Sequence, residues 1–206
     1  MILATLSGML NAINRRRKPV SRMPNSLFIK SAALTLALLL LSGCGKDANN
    51  SLLLLSGSEP AELARSHLAA ATLEQHDFSV TIEEARLGQI WQRLWAGKGD
   101  ASVTVWLPEA SAPFVERFFD RLDDLGAIDQ GLAQESRLNL NHDKPHVLVR
   151  RSLAQEAPAA LAVLSNLHWQ AEDIEQLIEY WQDTQDWSVA AQTWLAEQAA
   201  NAPVNG

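Results

Sequence analysis

From Leu52 onward the apolar residues switch repeatedly between strand and helix spacing, and that alternation narrows the chain to one fold class. Leu52 to Leu55 is an unbroken apolar run closed by Ser56-Gly57-Ser58. It is too short for a helix and reads as a buried strand. Ser58 is the expected N-cap and Pro60 suits a first helical turn. Ala61, Ala64, Leu68 and Ala71 then recur at helical spacing. Phe78, Val80 and Ile82 alternate with polar residues, which predicts a second strand. Leu87, Ile90, Trp91, Leu94 and Trp95 mark a second helix, closed by Gly97. Ala101 to Trp106 is a third strand stopped by Pro108, and Phe114 to Leu122 is expected to be a third helix followed by Gly126. Such regular alternation predicts a mainly parallel sheet with crossover helices. Residues 127–144 break the rhythm: they are polar and weakly patterned, so a loop or short helix is expected there. His146 to Arg150 is a further short strand, and three helices close the chain. Pro158 opens the first of them; the second carries Ile174, Leu177, Ile178 and Trp181 on one face, and the third carries Trp187, Ala191, Trp194 and Leu195. The expected fold is therefore α/β, a three-layer lobe with a mixed, mostly parallel sheet of about four or five strands and flanking helices.

The N-terminal part has a different character. Residues 1–43 contain Arg15, Arg16, Arg17, Lys18, Arg22 and Lys30 and no acid; the apolar run Ala32 to Leu41 follows, then Leu41-Ser42-Gly43-Cys44. Basic, apolar and small residues in that order make a secretory signal. The apolar run is about half of what a stable bilayer-spanning helix needs. The last four residues resemble the lipobox of bacterial lipoproteins. That resemblance implies cleavage before Cys44, acylation of Cys44 and attachment to a lipid bilayer. Residues 1–43 are then a signal peptide, with Met23 as an alternative start, and residues 44–51 are the lipidated cysteine and a polar tether. Gly45 stands where lipoproteins kept at the inner membrane commonly carry Asp, so the outer membrane, facing the periplasm, is favoured over the inner one.

Removing residues 1–43 leaves 11 Lys plus Arg against 24 Asp plus Glu, a net charge of −13. Such a surface suits neither nucleic acid nor anionic headgroups, so attachment has to come from acyl chains. With Cys44 as the single cysteine, no disulfide framework is available.

Several short motifs in order carry a second resemblance. Ile90-Trp91-Gln92-Arg93-Leu94 is followed by Gly99-Asp100, then Trp106-Leu107-Pro108, then Leu122-Asp123-Asp124-Leu125-Gly126. Val147 to Leu153 precedes Glu156-Ala157-Pro158, and Ala190-Ala191-Gln192-Thr193-Trp194-Leu195 lies near the end. Together they resemble the glycine betaine (quaternary-amine) substrate-binding proteins of ABC transporters, over residues 52–126 and 145–197. The resemblance implies a periplasmic-binding-protein-like (type II) fold. Family members trap ligand between two α/β lobes, the second inserted into the first. Here residues 127–144 stand in place of that insertion, leaving one lobe over residues 52–200 and a tail at 201–206.

A quaternary ammonium donates no hydrogen bond, so proteins hold it against aromatic faces. The resemblance places Trp106 at a position of the family's aromatic box. Glu59 and Ser111 fall near the positions of two further ligand contacts, a Trp and a His in the family. Packing at a strand end is the alternative role for Trp106, and helix N-terminal acid for Glu59. Trp91, Trp95, Trp181, Trp187 and Trp194 lie on apolar stripes and read as core. His142 and His146 straddle a loop and a strand, an arrangement unsuited to a metal. Glu83, Glu84, Asp123 and Asp124 read as solvated charge. No nucleophile–base pair, phosphate loop or catalytic carboxylate pair stands out, so neither an enzyme nor a cofactor site is expected. The resemblance implies the binding component of an ABC transporter, with an ABC permease as partner and a quaternary amine such as glycine betaine or choline as ligand; the absent second lobe, which leaves Trp106 as the single matching aromatic, predicts weakened or lost ligand binding. The alternative is a scaffold lipoprotein that uses the lobe to bind a protein.

Overall fold

The computed structural model describes residues 50–132 and 143–201, all within one unit of the chain, Asp47–Gly206. Cys44, the signal residues before it, His142 and the tail from residue 202 lie outside the described residues.

The elements in order are β1 (Ser51–Ser56), α1 (Pro60–Glu74), β2 (Ser79–Glu84), α2 (Leu87–Trp95), β3 (Ala101–Leu107) and α3 (Ala112–Phe118). A 3-10 turn (Phe119–Arg121) leads into β4 (Leu122–Ala127), and β5 (Lys144–Arg150) follows. Four helices end the fold: α4 (Leu153–Glu156), α5 (Pro158–Ser165), α6 (Ala171–Thr184) and α7 (Trp187–Asn201).

The strands form a five-stranded sheet in the order β2-β1-β3-β5-β4. β1 is parallel to both β2 and β3, while β5 is antiparallel to β3 and to β4. Four strands therefore run one way and β5 alone runs against them, as expected of a mixed, mostly parallel sheet. Helices cover both faces. On one face Leu52, Leu54, Val103, Val147 and Val149 meet Ala64 and Leu68 of α1, Leu164 of α5, Ile174 and Leu177 of α6, and Ala190 and Trp194 of α7. On the other, Leu55, Val105, Leu122 and Leu148 meet Ile90, Trp91 and Leu94 of α2, with Phe114 and Phe118 of α3 packed against them. This is a three-layer lobe built on one sheet.

Three expectations need correction. The helix read through Leu122 ends early: α3 stops at Phe118, and Leu122–Ala127 is a strand. Asp123 and Asp124 are poor strand formers, but β5 supplies the pairing Asp123↔Val149 and Asp124↔Leu148. The start of the weakly patterned segment is also packed, since Ile128 is 1% exposed and Leu132 is 5% exposed. Finally, α1 is capped by Glu59 and not Ser58: the Glu59 N–H donates to the Glu62 carboxylate at 3.1 Å.

Two features of the Gly-Asp motif are structural. A Cβ on Gly99 would lie 2.7 Å from Leu55 Cδ1, so only glycine lets this turn press on β1. Asp100 accepts the Leu53 N–H at 2.7 Å and the Arg150 Nε–H at 2.8 Å, tying β1 to the end of β5. Arg150 also pairs with Glu156 at 2.7 Å. The Arg150 hydrogen bond, with help from Ser152, holds the Glu156 carboxyl below its ordinary value. Glu156-Ala157-Pro158 thus anchors the start of α5.

Candidate functional site

In an open α/β sheet, ligands gather beyond the carboxyl ends of parallel strands where crossovers depart in opposite directions. Here that place lies between β1 and β3, and its residues are Ser56-Gly57-Ser58 after β1 and Trp106-Leu107-Pro108 after β3. The Gly57 N–H donates to Thr104 Oγ1 at 3.1 Å, joining the two strand ends. Asp143, 5% exposed, closes the loop after β3 by accepting the Glu109 and Ala110 N–H groups at 2.6 and 2.7 Å.

Where Trp106 sits depends on a break in β3. Pairing with β5 shifts register between Ser102 and Val105. Ala101 and Val103 belong to the α1 side of the core, but Val105 belongs to the α2 side. The irregularity resets the alternation, and Trp106 reaches α1. Its indole N–H donates to Glu62 Oε1 at 3.3 Å, and the Arg65 guanidinium carbon lies 5.4 Å from its ring centroid. Trp106 is 7% exposed.

Arg65 is buried completely. Its Nε donates to Asp129 Oδ2 at 2.7 Å and a terminal nitrogen donates to Asp129 Oδ1 at 3.2 Å, with both side chains at 0% exposure. Asp129 Oδ1 also accepts the Gly131 N–H at 2.5 Å.

The structure brings two of the three residues expected at the site together. Glu59 and Trp106 share the Glu62 carboxylate, one through its backbone N–H and the other through its indole. The Glu59 side chain is exposed at the helix start. Ser111 serves the opposite face of the sheet: it is 0% exposed and its hydroxyl accepts the Trp91 indole N–H at 3.1 Å. Sequence reasoning passed over Glu62, Arg65 and Asp129. A signal existed for Arg65, which falls on the stripe Ala61, Ala64, Leu68 and so had to be a buried cation with a partner. Nothing local marks Asp129. Among the described residues no group of three or more metal-ligating side chains comes together.

The other tryptophans lie in packed positions elsewhere. Trp91 is 0% exposed in the α2-side core. Trp95 donates to Asp120 at 2.9 Å under the Arg121 guanidinium. Trp181 and Trp187 stack on one another with centroids 4.7 Å apart.

A family model described as OpuAC, the substrate binding domain of ABC-type glycine betaine transport systems, matches residues 132–197. That match covers about a third of the chain. The matched stretch contains β5, the Glu156-Ala157-Pro158 anchor and the Ala190–Leu195 motif. Solved structures of the same kind share the fold. Lactococcal OpuAC, closed and complexed with glycine betaine, is 15% identical over 73% of this chain and 96% of its own, with a TM-score of 0.64. The glycine betaine/L-proline-binding protein ProX from Borrelia burgdorferi is 14% identical over 71% and 93%, with a TM-score of 0.62. An ABC-transporter choline binding protein in complex with choline is 12% identical over 77% and 92%, with a TM-score of 0.65. These are binding proteins and not enzymes. The opening motifs of the resemblance, Ile90 to Gly126, lie before the family match.

Proposed function

We propose that this chain is a lipid-anchored, single-lobe binding component of a glycine-betaine-type ABC transport system. As a monomer it holds small quaternary amines weakly or not at all. The observation that supports this reading is the state of Trp106, which stands at the carboxyl ends of β1 and β3 with 7% exposure. One aromatic face contributes about 0.5–2 kcal/mol to holding a cation, whereas micromolar capture needs about 8 kcal/mol. In this reading residues 127–144 replace the second lobe, too few to bury a core of their own. Acylated Cys44 holds the lobe to the membrane, with the periplasmic side of the outer membrane favoured, and an ABC permease is its partner. A second reading, a scaffold lipoprotein that binds a protein through this lobe, is favoured by the same near-complete burial of Trp106.

Calorimetry tests the weak-binding reading. The chain from residue 46, its mass checked by light scattering, is titrated with glycine betaine, choline and carnitine. The expected result is no heat of binding, or binding in the millimolar range. A dissociation constant below about 10 μM for a monomer would overturn the weak-binding reading. The same constant for a dimer would place a rebuilt aromatic box across an interface.

A further inference from the structure

Arg65 raises a question that the fold alone does not answer. A guanidinium removed from water needs compensation from every direction. Asp129 supplies a two-point ion pair on one side, and the Trp106 ring supplies a π face at 5.4 Å. The ring is itself fixed at its edge by Glu62, one helical turn before Arg65. Asp129 is held in turn, because Ile128 and Leu132 on either side of it are buried in the α1-side core.

We propose that Arg65 is a built-in cation for Trp106: pinned by Asp129, its guanidinium fills the ring face on which a small quaternary ammonium would otherwise rest. The inference rests on the reading above that Trp106 is the aromatic at the ligand position. A tethered cation meets its ring at an effective concentration that a free solute matches only at high levels. Displacing it would also strand the Asp129 carboxylate in a dry site. A free ammonium, which donates no hydrogen bond, cannot offer Asp129 what the guanidinium does, so the wild-type lobe stays closed to it. Truncation at position 65 changes the balance. It exposes the Trp106 face beside a buried carboxylate in need of a positive charge, and a compact tetraalkylammonium meets both demands. The segment that carries Asp129 also places Ile128 and Leu132 in the core, so residues 128–132 both fill the core and close the site.

The test is chemical rescue in the full chain, kept in detergent. Arg65→Ala, Arg65→Ala/Trp106→Leu and wild type are melted by tryptophan fluorescence. Each is melted in tetramethylammonium chloride and in sodium chloride of equal ionic strength. Arg65→Ala is expected to melt lower than wild type and to regain at least half of the lost Tm, saturably, in tetramethylammonium alone. Wild type and the double variant are expected not to respond. Equal recovery in the double variant, or none in folded Arg65→Ala, overturns the proposal. Should Arg65→Ala yield no folded protein, Arg65→Ala/Asp129→Asn carries the test, with and without Trp106→Leu. A Trp106-dependent rise in its Tm supports the proposal and its absence overturns it. Tight wild-type binding in the calorimetry would defeat the weak-binding reading instead, so the two failures are distinct.

Discussion

Replacing Asp129 by Ala isolates the part of the fold that depends most on one contact. The carboxylate meets Arg65 at 2.7 and 3.2 Å with both side chains at 0% exposure, so solvent screens the pair little. At an effective dielectric of about 20 and a charge separation of about 4 Å the attraction is about 4 kcal/mol. Removing one partner of a buried pair costs about 3–5 kcal/mol, because the surviving charge loses the compensation that partner supplied. The lost bond from the Gly131 N–H adds roughly 1 kcal/mol. For a lobe of this size a loss of about 3–5 kcal/mol lowers Tm by roughly 6–20 °C. The assay is urea unfolding of wild type, Asp129→Ala, Arg65→Met and the double variant Arg65→Met/Asp129→Leu, followed by circular dichroism. The double variant, apolar and similar in volume, should be closer to wild type than either single one. A loss below about 1 kcal/mol in Asp129→Ala, or a double variant as costly as the sum of the singles, would refute the reasoning.

Three further outcomes are expected. Trp91→Ala should cost about 3–5 kcal/mol in urea unfolding, since the ring is 0% exposed and its indole bonds Ser111; a loss below about 1 kcal/mol would show that the α2-side core does not depend on it. Burial lowers the His67 pKa from its ordinary 6.5, partly offset by the Asp186 and Glu84 carboxylates, so the folded state favours the neutral ring. Stability from this group is full above 6.5 and lost as pH falls through the folded pKa; wild type should therefore lose stability relative to His67→Gln between about pH 7.5 and pH 5, and a difference that ignores pH counts against the assignment. Cys44→Ala should abolish incorporation of labelled fatty acid, and labelling that persists would mean that the lipobox is misassigned.

The sequence was legible where periodicity had a single explanation. Leu52 to Leu55, Phe78 to Ile82 and Ala101 to Trp106 became β1, β2 and β3, and the stripes around Ile90, Ile174 and Ala191 became helices. β4 was not legible, because its stability is non-local. Asp123 pairs with Arg151 at 3.0 Å and Asp124 with His146 at 2.9 Å. Burial alone would raise the Asp124 carboxyl, but the bonds from His146 and the Gly126 N–H outweigh it and the net shift is downward. Residues that read as solvated charge therefore stitch an edge strand to its neighbours. At the candidate site Trp106 was legible through its motif, but the direction it faces was not. Strict alternation would put Val105 on the α1 side, and the register shift in β3 sends Trp106 there instead. Arg65 and Asp129 stand 64 residues apart, and no local pattern connects them.

The placement of the motifs also separates family likeness from ligand affinity. Gly99 and Asp100 act at the amino end of β3, where a Cβ on Gly99 would strike Leu55 and where Asp100 holds Leu53 and Arg150. Glu156 pairs with the same Arg150. Ala190, Ala191 and Trp194 pack α7 into the α1-side core. Leu122 and Leu148 close the other core. Each of these residues fixes the scaffold at a distance from the carboxyl ends of β1 and β3, and a chain that keeps them keeps the fold whatever it binds. Of the quoted motifs, Trp106-Leu107-Pro108 lies at the carboxyl ends of β1 and β3, and the face of Trp106 carries Arg65. In the proposed reading, the lobe keeps Gly99-Asp100, Glu156-Ala157-Pro158 and Ala190 to Leu195 as scaffold while Arg65, pinned by Asp129, occupies the face of Trp106.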